Sequence, residues 1–193
     1  MRGMLSFFCA GWLTLAGLSA QTFQGSLLAG ITLAQIDGDL LSGFNQPGLC
    51  GGLRVERQLS ERWSLGLTLA FSQAGSRRQL TDQPAAVLRS VRLNQVELPL
   101  LVQFSEWQFQ LGAGLAYQRL FGYRFRDITG ADVTALYPLR DNQLAFLASG
   151  RFRFNERWGA ELSWSRSLLP LQAGKGSSPF WGRVIGIQSI IYL

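Results

Sequence analysis

The chain has 193 residues, of which 18 are basic, 12 are acidic and none is histidine. This length suits one domain, and the lack of histidine excludes most metal sites and most general-base catalysis near neutral pH. The net charge is +6, but with only one lysine, Lys175, and no dense basic run, nucleic acid is not expected as a partner.

Residues 1–20 have the three parts of a secretory signal peptide. Arg2 supplies the positive start, residues 5–18 are mostly apolar, and Leu18-Ser19-Ala20 supplies the small residues of a cleavage site. A retained membrane anchor is the alternative, but the apolar run is short and polar residues follow it. We therefore expect residues 21–193 to be one exported domain.

The exported part has the composition of a membrane β-barrel. No later stretch approaches the roughly 20 apolar residues of a spanning helix. Only 16% of the chain is charged, against about 25% in an average soluble protein. After cleavage Cys50 is the only cysteine, so no intramolecular disulfide is expected.

Alternation of apolar and polar residues with period two predicts eight strands. The pattern is clearest after Trp63, Trp107 and Trp158, where large apolar residues alternate with Gly, Ser, Ala, Thr or Gln. In chain order, the predicted strands cover 25–35, 49–58, 63–72, 91–104, 107–118, 143–154, 158–165 and 182–193.

One strand is irregular. Val91 and Leu93 fall on the opposite parity from Val96 onward, so an outward position for all three requires a β-bulge near Asn94. Pro99 in the same strand cannot donate to a ladder and requires a local exception.

A polar turn ending in tryptophan recurs at 59–63, 104–107 and 154–158. Each copy joins two strands closely, while longer segments separate the copies. Short turns at one end and long loops at the other are typical of outer-membrane barrels. The predicted fold class is therefore all-β, an antiparallel up-and-down transmembrane β-barrel of about eight strands with short periplasmic turns.

The scarcity of charge on the polar faces decides which face is inside. A soluble lipocalin-like barrel, which binds an apolar ligand, is the alternative, but its wet exterior needs many Lys and Glu residues. Small polar residues instead suit the narrow interior of an eight-stranded barrel. The charges expected inside, where they can pair, are Arg54, Glu56, Glu97, Arg151, Arg153 and Glu161. The large apolar face then meets lipid, with Trp63, Trp107 and Trp158 in an aromatic belt at the periplasmic interface.

Three motifs resemble the PorT-type outer-membrane β-barrel family. They are the glycine-led strand 47–53, the turn 59–65 and the segment 96–101 with its Glu-Leu-Pro-Leu core; Leu111-Gly112-Ala113-Gly114 also fits. The resemblance covers essentially the whole exported chain and implies an integral outer-membrane protein, sometimes part of a secretion system, with no shared catalytic residue. Such barrels commonly end on an aromatic residue, whereas here Leu193 follows Tyr192.

Little in the sequence points to catalysis or a cofactor. Small outer-membrane enzymes largely rely on histidine, and an acid–base pair of Glu97 and Glu161 is less favoured than a buried ion-pair plug. The acidic residues of 37–39 and 127–132 lack the ligand count of a calcium site and suit turns. No enzyme activity and no cofactor are expected.

Basic residues recur in the segments expected to be outer loops. Arginine forks bind phosphate, so contacts with lipid A phosphates are one interpretation and a solvated rim the other. These residues are Arg77, Arg78, Arg89, Arg124, Arg126, Arg140 and Lys175.

The sequence favours a non-enzymatic outer-membrane barrel that acts as an anchor, a binding surface or an accessory part of an export or adhesion system. Outer-membrane lipids are the expected partners, and protein partners would use the outer loops, chiefly 76–90 and 123–141. A narrow pore or small-solute transporter is the alternative from another class.

Overall fold

The computed structural model describes residues 23–80, 82, 84, 86–172 and 179–193. The predicted signal peptide lies outside these residues. A short 3-10 helix covers Thr134–Leu136, and no helix of the described residues is long and apolar enough to cross a membrane. The strands are β1 (Phe23–Asp37), β2 (Gln46–Gln58), β3 (Trp63–Arg77), β4 (Leu88–Glu106), β5 (Phe109–Asp127), β6 (Asn142–Arg153), β7 (Trp158–Ser167) and β8 (Trp181–Tyr192).

The strands pair in chain order and close into a barrel. Each strand is antiparallel to its neighbours, and β8 pairs with β1 from Tyr192–Ser26 to Trp181–Asp37. The predicted fold class, an all-β, antiparallel up-and-down barrel of eight strands, is confirmed. One end, the short-turn end, carries the connections 59–62, 107–108 and 154–157. The other, the long-loop end, carries the connections 38–45, 78–87, 128–141 and 168–180.

The tightest connection contains Trp107. The sequence pattern predicts that a strand begins at this residue. In the structure the residue instead lies in a two-residue turn between Glu106 and Phe109. Its φ of 54° lies in the left-handed region that such hairpin turns favour.

The barrel is apolar outside and polar inside. On β3, Leu67 and Leu69 are 51% and 53% exposed, whereas Ser64 and Thr68 are 2% and 3% exposed. Successive side chains of a strand point to opposite faces, so the leucines cover the outer wall and the hydroxyls line the lumen. The lumen of an eight-stranded barrel holds side chains and little else, which explains why its residues are mostly small.

Strand β4 departs from its predicted facing. Val91 and Leu93 are buried, on the same inward face as Gln95, Glu97 and Pro99. The strand therefore keeps one parity throughout, and the expectation that Val91 and Leu93 face outward is wrong.

The bulge of this hairpin adds its residue to β5. The pairing register shifts after Asn94, and Phe121 is the additional residue on the partner strand. Before the bulge Leu120 points inward, and after it Phe125 does. The extra residue therefore exchanges the inward and outward positions in the part of β5 that follows Phe121.

A hydrophobic core fills the lumen at the long-loop end. The Phe125 ring stacks on Tyr137 at 4.9 Å between centroids and on Phe180 at 6.5 Å. Strand residues and loop residues contribute together, so the loops fold into the mouth of the barrel. Its buried members are Ala34, Ile36, Leu41, Ala74, Ala86, Leu88, Val91, Leu93, Leu120, Phe125, Leu139, Leu171 and Phe180.

Three strands project past the others at the long-loop end. Beyond Arg119, β5 pairs only with β4, and beyond Ser72, β3 pairs only with β4. The strands β4 and β5 have 19 residues each, against 10 in β7. The projecting ends of β3, β4 and β5 form a three-stranded wall, named here the projecting wall.

Candidate functional site

Four buried charges form one cluster inside the barrel, named here the lumen cluster. Arg54 donates to both carboxylate oxygens of Glu161 at 2.5 and 2.8 Å. Arg151 donates to both oxygens of Glu56 at 2.9 and 2.8 Å and lies 3.2 Å from Glu161. The four side chains are 2–7% exposed, and their formal charges cancel.

Strand alternation explains why these charges meet. Arg54 and Glu56 are two residues apart on β2, so they share the inward face. Arg151 and Glu161 are directly opposite partners of β6 and β7. Because β2 and β6 lie four strands apart in the ring, the cluster crosses the lumen and ties opposite walls together. Bidentate arginine–carboxylate pairs are the strongest arrangement for such a contact.

Two of the six predicted interior charges lie apart from this cluster. Glu97 accepts from Gln95 at 2.6 Å and from Gln118 at 3.2 Å, within the lumen. The Arg153 guanidinium lies 4.1 Å from the centre of the Tyr192 ring and donates to Gln24. None of the ion pairs of the described residues includes Glu97 or Arg153, so the expected network of six comprises four.

At the short-turn end the lumen opens into a cavity of about 550 Å³ whose walls include Gln24, Arg153, Tyr192 and the inner pair Glu56 and Arg151. The Glu56–Arg151 pair of the lumen cluster therefore lines this cavity, whereas Arg54 and Glu161 do not.

The three tryptophans of the predicted aromatic belt lie at the short-turn end. Trp63 and Trp158 are each 47% exposed at the first positions of β3 and β7, and Trp107 is 81% exposed. Trp63 packs edge-on against Phe104 at 5.2 Å. Their outward rings would suit a boundary between apolar and aqueous surroundings.

Six arginines line one groove on the outside of the projecting wall, with a volume of about 830 Å³. Since Val91, Leu93 and Phe125 point inward, Arg92 and Arg124 point outward. We name this group the arginine patch; it comprises Arg77, Arg78, Arg89, Arg92, Arg124 and Arg126.

The arginine patch contains fewer carboxylates than arginines. Asp132 interacts with Arg124 and Arg126, and Asp82 interacts with Arg78. Arg92 and Arg124 are direct cross-strand partners, an arrangement in which like charges repel. Arg124 lies 3.7 Å from Asp132, and both side chains are more than half exposed. The other five arginines belong to none of the ion pairs formed by the described residues.

The patch differs in membership from the predicted set of seven basic residues. Arg77, Arg78, Arg89, Arg124 and Arg126 line the groove together. Arg140 lies elsewhere and donates to the Gln172 carbonyl at 3.1 Å, while Lys175 lies outside the described residues.

Sequence reasoning missed Arg92 because an outward Val91 and Leu93 would turn it into the lumen. The available signal was the even parity that Arg92 shares with Val96 and Leu98. The predicted loops 76–90 and 123–141 are also shorter in the structure, since the connections are 78–87 and 128–141. Four patch residues that were predicted to lie in loops therefore lie on strands, which hold them more rigidly than loops would; they are Arg77, Arg89, Arg124 and Arg126.

Two loop carboxylates fasten the long-loop end. Buried Asp39 accepts from the Leu41 amide at 2.9 Å and from the Ser76 hydroxyl. Burial raises the pKa of Asp39 to about 6 despite these bonds. Asp82 accepts from the amides of Gln79 and Ser42 at 2.6 and 2.9 Å, and these bonds lower its pKa.

Two of the acidic residues considered for calcium, Asp127 and Asp132, serve as turn acceptors. Asp127 accepts from the amides of Thr129 and Ala131, both at 2.9 Å, and Asp132 accepts from the Thr134 amide at 3.0 Å. Across the part of the chain that the structure describes, no group of three or more His, Cys, Asp or Glu residues is arranged to hold a metal ion.

Comparison with known proteins gives matches at the level of structure alone. No family model and no curated protein matches the chain. The attachment invasion locus protein Ail of Yersinia pestis, solved in complex with the heparin analogue sucrose octasulfate, has a TM-score of 0.52 and 11% identity. That match covers 89% of this chain and 99% of Ail. Neisserial surface protein A has a TM-score of 0.51 and 10% identity, over 88% of this chain and 96% of that one. At such identities the likeness shows the fold: this chain shares the closed eight-stranded barrel.

Proposed function

We propose that this protein is a non-enzymatic integral outer-membrane barrel, exported by a cleaved signal peptide, whose long-loop end is its binding surface. The observation that carries the proposal is the inversion of the barrel, with an apolar exterior around charged side chains. In water such an exterior would be a contiguous apolar surface far beyond what soluble monomers expose. In lipid it is the expected arrangement, because a closed barrel leaves no unpaired strand edge.

The height of the apolar exterior supports an outer-membrane location. On β1 the outward positions are apolar or glycine from Phe23 to Leu33 and become polar at Gln35. The ten steps between Phe23 and Leu33, at about 3.3 Å each and tilted by about 40°, span roughly 25 Å along the membrane normal, the usual height of such a band. The aromatic residues at the short-turn end would then mark the periplasmic boundary.

A soluble lipocalin-like barrel fits this distribution poorly. Its ligand cavity would be apolar, whereas here Arg54, Glu56, Arg151 and Glu161 cross the lumen. Its exterior would be charged, whereas Leu53, with 54% of its surface accessible, faces outward. The inner and outer faces are reversed relative to that class.

A narrow pore is also disfavoured. The lumen cluster spans the barrel, and the hydrophobic core of the long-loop end fills its mouth. Ion passage requires a continuous wet path, which two successive barriers interrupt. The proposal therefore expects no steady conductance in planar bilayers.

The finer assignment to the PorT-type family is part of this proposal and rests on the sequence motifs. Within the Glu-Leu-Pro-Leu segment, Glu97 and Pro99 face the lumen while Leu98 and Leu100 face outward. The motif therefore contributes to the wall of the scaffold. Ail, which has the same fold, was solved with a polysulfated sugar, so binding of a polyanion is compatible with a barrel of this size.

The proposal is tested by membrane fractionation followed by gel mobility of boiled and unboiled samples. We expect the protein in the outer-membrane fraction, with a mobility shift on boiling and an N-terminus near residue 21. A soluble periplasmic protein without a mobility shift would overturn the proposal. Stepwise conductance in planar bilayers would show that the protein is a pore and would contradict the proposed binding role.

A further inference from the structure

We propose that the arginine patch binds the phosphate groups of lipid A in the outer leaflet. The inference rests on the proposed outer-membrane location and names a partner for its binding surface. Three features of the patch favour this partner: its depth, its mostly uncompensated charge and the apolar wall beneath it.

The cross-strand register gives the depth of the patch. The last apolar outward row of the projecting wall joins Phe71 and Val96, and the next row joins Gln73 and Asn94. Arg92 lies four residues beyond Val96 on β4, which corresponds to about 13 Å along the strand and about 10 Å along the membrane normal. This is the depth of headgroups, just beyond the acyl region.

The charge of the patch is mostly uncompensated within the chain, so an anion from outside can bind there. Arg92 and Arg124 are directly opposed, and Asp132 is the only carboxylate in an ion pair with any of the six arginines among the described residues. Guanidinium groups suit phosphate because each presents two parallel donors to two oxygens. The groove of about 830 Å³ is large enough for a phosphorylated sugar headgroup.

The other side of the same barrel end offers a contrast. There the outward Arg183 donates to Asp37 at 2.6 Å through Nε, so its charge is already paired within the chain. Arg166, the cross-strand partner of Arg183, and Arg140 also belong to none of the ion pairs of the described residues, but neither lines the groove. The projecting wall therefore differs in grouping six arginines in one groove.

The surface beneath the patch favours a lipid over a soluble polyanion. Phe71 and Phe121 are 37% and 62% exposed, with their ring centroids 6.1 Å apart, on the outward face just below the arginines. Acyl chains would lie against these rings while the phosphates contact the arginines. A soluble sulfated sugar would use the arginines alone.

The test measures binding of lipid A to the folded mature protein in detergent, by native mass spectrometry and by titration. The variant is Arg92→Gln with Arg124→Gln. The matched control is Arg57→Gln with Arg157→Gln, which removes the same charge from exposed positions at the short-turn end. The probes are lipid A with its phosphates, the same lipid without them, and sucrose octasulfate.

We expect the patch variant to bind phosphorylated lipid A at least about tenfold more weakly, which corresponds to losing one or two charge-assisted contacts. The control should bind like the wild type, and removal of the phosphates should weaken wild-type binding to the level of the variant. Equal binding of both lipids, or an unaffected patch variant, would overturn the inference. Preferential binding of sucrose octasulfate through the same arginines would overturn it in favour of a soluble polyanion.

Gel mobility and fractionation of the same samples separate this inference from the proposed function. If the protein is a heat-modifiable barrel in the outer membrane but binds lipid A equally well with and without phosphates, only the lipid A inference is wrong. If the protein is not found in the membrane, both the proposed function and the lipid A inference are wrong.

Discussion

The lumen cluster and the arginine patch both bring arginines close together, but they differ in whether carboxylates of the same chain balance the charge. Inside the barrel, Arg54 and Arg151 meet Glu56 and Glu161 at hydrogen-bond distance, and the charges cancel within the chain. On the projecting wall, Arg92 faces Arg124, and the one ion pair of the patch among the described residues is the exposed contact of Arg124 with Asp132. The charges of the cluster are therefore balanced within the protein, whereas the charge of the patch is mostly not.

This difference separates structural charges from charges available for binding. A buried ion must find its partner within the protein, because desolvation without a partner is very costly. An exposed arginine is solvated, so it can remain unpaired until a ligand arrives. The two groups should therefore respond in opposite ways to mutation and to the lipid environment.

Glu161→Gln should have the largest effect. The substitution removes the carboxylate shared by Arg54 and Arg151 and leaves an uncompensated buried positive charge. We expect the free energy of unfolding to fall by about 3–5 kcal/mol, measured by urea unfolding in lipid vesicles. The matched control is Glu106→Gln, which breaks the exposed Arg62–Glu106 pair and should cost less than about 1 kcal/mol. Equal effects at the two positions would contradict a buried cluster.

Asp39→Asn should reveal how a buried carboxylate behaves without an arginine partner. Because burial raises the pKa of Asp39 to about 6, the folded state holds its proton more tightly than the unfolded chain. The associated stability is present below about pH 4 and is lost as pH rises through 6. The variant should therefore match the wild type in acid and exceed its stability above pH 6 by on the order of 2–3 kcal/mol.

Thermal unfolding at several pH values measures this difference, and Asp132→Asn is the control of opposite sign. Hydrogen bonds from Thr134 lower the pKa of Asp132. Its contribution is therefore present at neutral pH and is lost as pH falls through the folded-state value. A pH-independent difference between wild type and Asp39→Asn would refute the role assigned to Asp39.

Arg92→Gln should have the smallest effect, with a sign that depends on the surroundings. In detergent it relieves repulsion from Arg124, so stability should stay equal or rise by up to about 1 kcal/mol. In bilayers that contain lipid A, the variant should become less stable than the wild type. Thermal unfolding in both media measures the change, and a loss of stability in detergent would mean that Arg92 already has a partner in the chain.

The sequence pattern was sufficient for the parts of the fold that depend on local alternation. It predicted eight strands, the inward side of β2 and β7, and the turns that precede Trp63 and Trp158. The four charges of the lumen cluster follow from the same parity. These features repeat over many residues, so a single irregular position does not hide them.

The rest depends on long-range pairing. The bulge at Phe121 adds one residue to β5, and a single residue reverses all later facings of that strand without a mark in the local pattern. The burial of Asp39, Leu139 and Phe180 depends on loops that meet only after the barrel closes. Arg92 was missed for a different reason, because Val91 and Leu93 were expected to face lipid, although Arg92 shares the parity of Val96 and Leu98.

The central claim, that the apolar face meets lipid, is tested most directly by the fluorescence of Trp164. This side chain lies on the outward face of β7 and is 38% exposed. In a variant that keeps Trp164 and carries Phe at Trp63, Trp107, Trp158 and Trp181, the account predicts strong quenching by lipids brominated on their acyl chains and weak quenching by aqueous iodide. Strong quenching by iodide without quenching by the brominated lipids would contradict this claim and would indicate a soluble barrel.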